Sequence, residues 1–243
     1  MKHAIILLLM MSVLAVYSFR ISACAAGPGK PAECETKEEQ GMGPMTKDSK
    51  DFFSTEIDDA VWTRIYGKSF KKDCTVPREE LRYLHILHKD IDGVIHEGEM
   101  VCSRIIAEDL LEIFEGLYEG GYPIEKIRLI DEYDAEDESS MADNNSSCFN
   151  YRTISFSRKL SNHALGLAVD INPLYNPYVK TVNGQENVEP ANGKPYTDRN
   201  SDFPYKLMEG DLCYRLFTEH GFSWGGHWKN SKDYQHFEYT GNR

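Results

Sequence analysis

The sequence predicts an α+β fold, and three stretches carry that expectation. Ile106, Leu110, Ile113, Phe114 and Leu117 form one apolar stripe at helical spacing, closed by Gly120-Gly121. Ile127-Arg128-Leu129-Ile130 then has strand character, so that the helix is expected to cover one face of a sheet. Further on, Leu165, Leu167, Val169 and Ile171 alternate with Gly166, Ala168, Asp170 and Asn172, which predicts a strand with Asp170 on the face opposite the larger apolar side chains.

Taken in order, Met1-Lys2-His3 precedes an apolar run from Ala4 to Phe19, too short for a membrane span and typical of a secretory signal, placed at 1–25. Ala23-Cys24-Ala25 fits a small-x-small cleavage site, whereas Ile21-Ser22-Ala23-Cys24 resembles a lipobox that would leave Cys24 lipidated as the first mature residue. Arg20 suits neither version, and an uncleaved anchor is the third. Residues 26–51 are rich in Gly, Pro, Lys, Glu and Ser and cannot bury enough apolar surface to offset ordering entropy, so they are read as a tether. One domain is expected over 52–243, in a chain of 243 residues.

Six cysteines are present. Removal or lipidation takes Cys24 out of the count and leaves Cys34, Cys74, Cys102, Cys148 and Cys213, an odd number; they are either disulfide partners with one thiol over or small buried hydrophobes. A formal net charge of −12 excludes nucleic acid and anionic lipid surfaces as natural partners, since both need clustered Lys and Arg. The acidic run Asp131 to Glu138 lacks the ligand spacing of a calcium loop and reads as a solvated segment.

Pro77 at a first helical turn, followed by Leu81, Leu84 and Leu87, predicts an early helix. Ser140 to Ser147 is polar and turn-rich, and residues 175–204 read as one long loop, a candidate lid or cleft wall. Asp211 is placed to cap a helix carrying Leu212, Leu216 and Phe217 and ending at Gly221. Phe222-Ser223-Trp224 and His236-Phe237-Glu238-Tyr239 read as strands, with a turn at Gly225-Gly226.

Chemistry concentrates in two of these segments. His163, Asp170 and His236 together offer two imidazoles and one carboxylate, the protein ligand set of a catalytic zinc that keeps a position open for water. Asp233, three residues before His236, is the candidate general base, taking the proton of the attacking water and passing it to the leaving amine. No HExxH helix is present, and taken singly each residue is equally an ordinary hydrogen-bonded or surface group. Arg152 is a candidate to stabilise an oxyanion or to hold a substrate carboxylate, with a surface ion pair as its plain alternative. Ser161 either touches substrate or fixes the turn before His163. His227 is the rival ligand, read as a rim or substrate contact. His85, His88 and His96 are not read as a second metal centre, since no acid motif accompanies them.

The pattern Ser161-x-His163-x-x-Gly166-x-Ala168-x-Asp170, followed by Asp233-x-x-His236-Phe237-Glu238 behind Trp224-Gly225-Gly226-x-Trp228, resembles the VanY-type D-alanyl-D-alanine carboxypeptidases, a family of zinc peptidases that includes L-alanyl-D-glutamate endopeptidases. The resemblance extends through Phe149-Asn150-Tyr151-Arg152 and Asp170-Ile171-Asn172-Pro173 to Asn176-Pro177-Tyr178. It implies a hedgehog or D-Ala-D-Ala peptidase-like fold, in which a small antiparallel sheet carries the zinc site between flanking helices. It also implies about one zinc ion per chain on His163, Asp170 and His236, with Asp233 as base. Peptidoglycan stem peptides are the implied substrate, the bacterial envelope or exterior the implied location, and a monomer the expected state. Carboxypeptidases of the group carry Glu where this chain has Asp233, and the endolysin branch carries Asp, which leaves two bonds open as the target. A zinc-bearing wall-binding module without catalysis is the alternative of another class.

Overall fold

The computed structural model describes residues 51–154 and 157–241. The expected export signal, Cys24, Cys34 and the tether up to residue 50 lie outside the described residues. The described chain is α+β, as expected, with small antiparallel sheets and few helices. No helix among the described residues is long and apolar enough to cross a membrane.

Strand β1 (Phe53–Glu56) leads to α1 (Asp59–Ile65), whose N-cap Asp58 accepts a hydrogen bond from the Val61 amide. The helix expected at Leu81 to Leu87 is instead β2 (Leu81–Lys89), paired along its length with β3 (Ile95–Ser103). Pro77 opens only the single 3-10 turn Arg78–Glu80. Leucines three apart fit the helical period and not a strand's alternation; what decides instead is the alternating set Leu84, Ile86 and His88, which is buried while the whole segment pairs with β3. Asp90-Ile91-Asp92-Gly93 turns the hairpin, Asp90 Oδ1 accepting from the amides of Asp92 (3.0 Å) and Val94 (2.9 Å).

Helix α2 (Ala107–Glu119) follows the predicted stripe, and its buried Leu110, Ile113, Phe114 and Leu117 join Leu84, Ile86 and Met100 in the main core. Of the strand expected at 127–130, only β4 (Lys126–Ile127) forms, paired in parallel with β5 (Asn145–Ser146). The acidic run is ordered rather than merely solvated: Ile130–Tyr133 is a 3-10 turn, and α3 (Asp137–Ala142) follows it. Asp131 is buried and accepts from the Ser69 amide (3.0 Å) and hydroxyl (2.9 Å).

The site strand β6 (Ala168–Asp170) comes next. The expected long loop at 175–204 contains a hairpin, β7 (Tyr178–Val182) and β8 (Gln185–Glu189), turned at Asn183-Gly184, where both residues have positive φ. Beyond the 3-10 helix Ala191–Tyr196, Arg199 ties the segment down by donating to the carbonyls of Tyr175 (2.8 Å) and Leu207 (2.6 Å) and to Asn176 Oδ1 (2.9 Å). Helix α4 (Leu212–Glu219) is capped by Asp211 as predicted, and β9 (Phe222–Trp224), β10 (Lys232–Asp233) and β11 (His236–Tyr239) complete the described fold. Cys74, Cys102, Cys148 and Cys213 are free thiols, the last three fully buried, which fits their reading as small hydrophobes.

Candidate active site

The segment expected as a strand from Leu165 to Asn172 is a 3-10 turn, Asn162–Leu165, followed by the short β6. Ser161 caps the turn, its hydroxyl accepting from the His163 amide at 3.2 Å. Gly166 closes it at φ +65°, where a Cβ would stand 2.5 Å from the Ser103 amide nitrogen, so both conformation and space demand glycine. This reversal folds His163 back over Asp170, which a continuous strand could not do. Strand β11 lies between β6 and β9, with His236 opposite Asp170 and Phe237 opposite Val169. Alternation then separates the faces: Val169 and Phe237 enter the core, Phe237 stacked on Phe217 of α4 at 4.2 Å, while Asp170 and His236 face a cavity.

Around that point three side chains converge. His163 Nε2 is 3.2 Å from Asp170 Oδ2, His236 Nδ1 is 3.1 Å from Asp170 Oδ1, and the two imidazole nitrogens are 3.2 Å apart. Their outer nitrogens decide which lone pairs point inward. His163 Nδ1 lies 2.6 Å from the Cys148 carbonyl, which only accepts, so the proton sits on Nδ1 and Nε2 presents a lone pair to the centre. His236 Nε2 faces Glu238 Oε2 at 3.7 Å, and that oxygen is itself held by Asn162 Nδ2 at 2.6 Å. With its proton turned toward Glu238, His236 also presents a lone pair, from Nδ1. Two imidazole lone pairs and a carboxylate meeting in a buried space need a cation between them, and the set His163, Asp170, His236 fits a metal ion.

The electrostatics agree. Burial opposes ionisation of Asp170, yet the two imidazoles hold its carboxyl well below the usual range. Burial likewise opposes charge on His236, but the carboxylates of Asp170, hydrogen-bonded to it, and Glu238, beside it, raise it to about 10. A proton on His236 is thus the metal-free way of supplying the positive charge that this cluster requires.

Asp233 reaches the same cavity, of about 560 Å³, from β10, which pairs with β7. Its Oδ1 is buried with no hydrogen-bond partner among the described residues. Burial lifts its carboxyl to about 7, against the opposing pull of His236 and Arg152. Arg152 also lines the cavity, with its Nε ion-paired to Asp137 Oδ2 of α3. Ser161 lines it too, while serving as the cap described above.

His227 does not join this group. It lies in the 3-10 turn Gly225–His227, Nε2 3.4 Å from Glu209, with its ring edge-on to Trp224 and Tyr214. Trp228, one residue on, lines the cavity instead, its ring 5.3 Å from that of His236. Sequence reasoning also missed Asn162 and Glu238, although Glu238 stands two residues from His236 on a strand and hence on its face. Asp137 as the partner of Arg152 had no local signal. His88 and His96 stack at 5.3 Å, and His96 Nε2 bonds Asp90 at 2.8 Å; among the described residues the group able to hold a metal is His163, Asp170 and His236.

Residues 155–239 match a family model described as D-alanyl-D-alanine carboxypeptidase. The match takes in His163, Asp170, Asp233 and His236 and bears out the resemblance read from the motifs; Arg152 stands just ahead of it. No curated protein and no solved structure matches the chain.

Proposed function

We propose that this chain, a peptidase by its match to the D-alanyl-D-alanine carboxypeptidase family, is a zinc enzyme that hydrolyses an amide bond in peptidoglycan stem peptides, removing a terminal D-alanine. The observation that carries the reading is the meeting, in one cavity, of three convergent acceptors with a buried carboxylate oxygen that has no partner.

His163 Nε2, His236 Nδ1 and an Asp170 oxygen would hold the zinc, oriented from behind by the Cys148 carbonyl and by Glu238 with Asn162. Bound there, zinc supplies Lewis acidity, easing deprotonation of a water and polarising the scissile carbonyl. Asp233 accepts the proton of the attacking water on Oδ1 and returns it to the leaving amine; a carboxyl lifted toward neutrality by burial suits both halves of that exchange. Arg152, held in place by Asp137, presents positive charge to the developing oxyanion. Trp228, with Tyr178 and Glu189 of the β7–β8 hairpin, walls the cavity. Export to the bacterial envelope, through a cleaved signal or a lipidated Cys24, belongs to the same proposal.

A second reading is favoured by one residue: Asp233 stands where the carboxypeptidase branch carries Glu, so cleavage between L-alanine and D-glutamate is the alternative. Digestion of defined muropeptides by the zinc-replete protein, with products weighed by mass spectrometry, tests both. Loss of one alanine from a pentapeptide stem is expected. Release of whole stems from their L-alanine would favour the endopeptidase, and no cleavage of any stem with zinc bound would overturn the peptidase reading in favour of a binding module.

A further inference from the structure

We propose that Lys159 anchors the free C-terminal carboxylate of the substrate, so that the cavity selects chain ends over internal bonds; this deepens the peptidase reading and rests on it. Two basic side chains outside the metal cluster line the cavity, Arg152 and Lys159. Arg152 is already engaged. Its Nε pairs with Asp137 Oδ2, and Asp137 is fixed in turn by Asn150 Nδ2 at 2.9 Å, so the charge of Arg152 is already partly matched.

Lys159 differs on each count. Its backbone is pinned at the rim, its carbonyl accepting from the Ile154 amide at 2.9 Å beside the bridge between Thr153 and Leu160. Its side chain lines the cavity, and its ammonium makes no hydrogen bond or ion pair among the described residues. Its charge reaches Glu238, which places it on the His236 side of the cavity. The other carboxyl and basic groups lining the cavity outside the metal cluster, among the described residues, are the carboxyls of Asp137, Glu138, Glu189, Asp233 and Glu238. An incoming carboxylate is repelled along that wall and attracted at Lys159, whose charge is unpaired among the described residues, whereas an uncharged internal peptide gains nothing there. A flexible lysine can also reach the carboxylates of differently sized terminal residues more freely than a planar guanidinium tethered through Nε to Asp137.

The test uses the full-length zinc-loaded chain and a matched pair of stem pentapeptides, one ending in a free carboxylate and the other in a carboxamide. The parent is expected to favour the free acid by roughly 10- to 100-fold in kcat/KM, the usual range for losing a charge-assisted contact. Lys159→Met should collapse that ratio toward unity mainly through KM, and Lys159→Arg should retain most of it. Equal rates on acid and amide by the parent, or an unchanged ratio in Lys159→Met, would overturn the proposal. Cleavage of neither peptide would instead count against the function proposed above, and the anchor is then decided by calorimetric binding of the same pair to zinc-loaded Asp233→Asn. Tighter binding of the acid, lost on adding Lys159→Met, supports it; equal binding of the two peptides, or a preference that survives Lys159→Met, refutes it.

Discussion

His163 owes its role to what lies behind it. The Cys148 carbonyl 2.6 Å from Nδ1 fixes the tautomer, so Nε2 faces Asp170 and His236 as a lone pair. A set of three protein ligands loses much of its chelate geometry with any one of them. His163→Ala, Asp170→Ala and His236→Ala are therefore each expected to lower zinc content well below one per chain, measured by elemental analysis after metal-replete purification; full occupancy in all three would mean that the ligands lie elsewhere. These residues were legible because residue type, motif spacing and the family resemblance agreed on them. Nearness in sequence to the Trp-Gly-Gly turn says nothing about direction, and the 3-10 turn sets His227, read as a rim or substrate contact, beside Glu209. Lys159 and Asp137 carry no motif at all; only the fold shows that one is open to the cavity and the other holds Arg152.

Elements governed by local chemistry were readable, and those governed by distant partners were not. Helix α2 shows its stripe within one window, and Asp211 caps α4 through its own sequence neighbours. Leu81, Leu84 and Leu87 match the helical period alone, so their spacing predicts a helix where β2 stands; the strand's own signal is the alternation of Leu84, Ile86 and His88, whose third member is polar. The hairpin β7–β8 did have a local signal, Asn183-Gly184, but its strands are mostly polar and exposed and lack the apolar alternation that marks a half-buried strand. Packing of the β2–β3 hairpin supplies a test at this scale. A Cβ at Gly98 would meet Ile127 Cβ at 2.8 Å and the His88 ring at 3.2 Å. Ile127 is buried and its Cβ is rigidly tied to the backbone, so Gly98→Ala should destabilise the protein by about 1–3 kcal/mol through overpacking. A urea midpoint equal to that of the parent would show that the hairpin and β4 separate freely.

Across the whole molecule, stability is linked to protons and, on the proposed function, to metal. His88 is buried, with Nδ1 2.8 Å from the Ile124 carbonyl, and burial lowers its pKa below the ordinary 6.5. As pH falls through 6.5 the unfolded chain takes up a proton that the folded chain refuses, so stability drops on acidification until the lower folded pKa is reached. His88→Asn keeps a donor for Ile124 and cannot titrate, so its urea stability should fall less than the parent's between about pH 7.5 and about pH 5.5. Identical pH slopes would contradict the assignment. Metal acts in the same way: an ion bound only by the folded chain raises the melting temperature with concentration. Zinc should therefore shift the parent upward and leave His236→Ala nearly unmoved, and a shift of the same size in that variant would place zinc at another site.

In the proposed mechanism labour is divided: three side chains hold the metal and Asp233 moves the proton. That division is tested most directly by measuring zinc content and the rate of stem-peptide hydrolysis on the same preparation of Asp233→Asn, which keeps the size of the side chain but cannot accept a proton near neutrality. The predicted result is zinc at the parental level with hydrolysis reduced roughly 10²-fold or more. Hydrolysis at the parental rate with zinc bound, or loss of zinc along with activity, would contradict it.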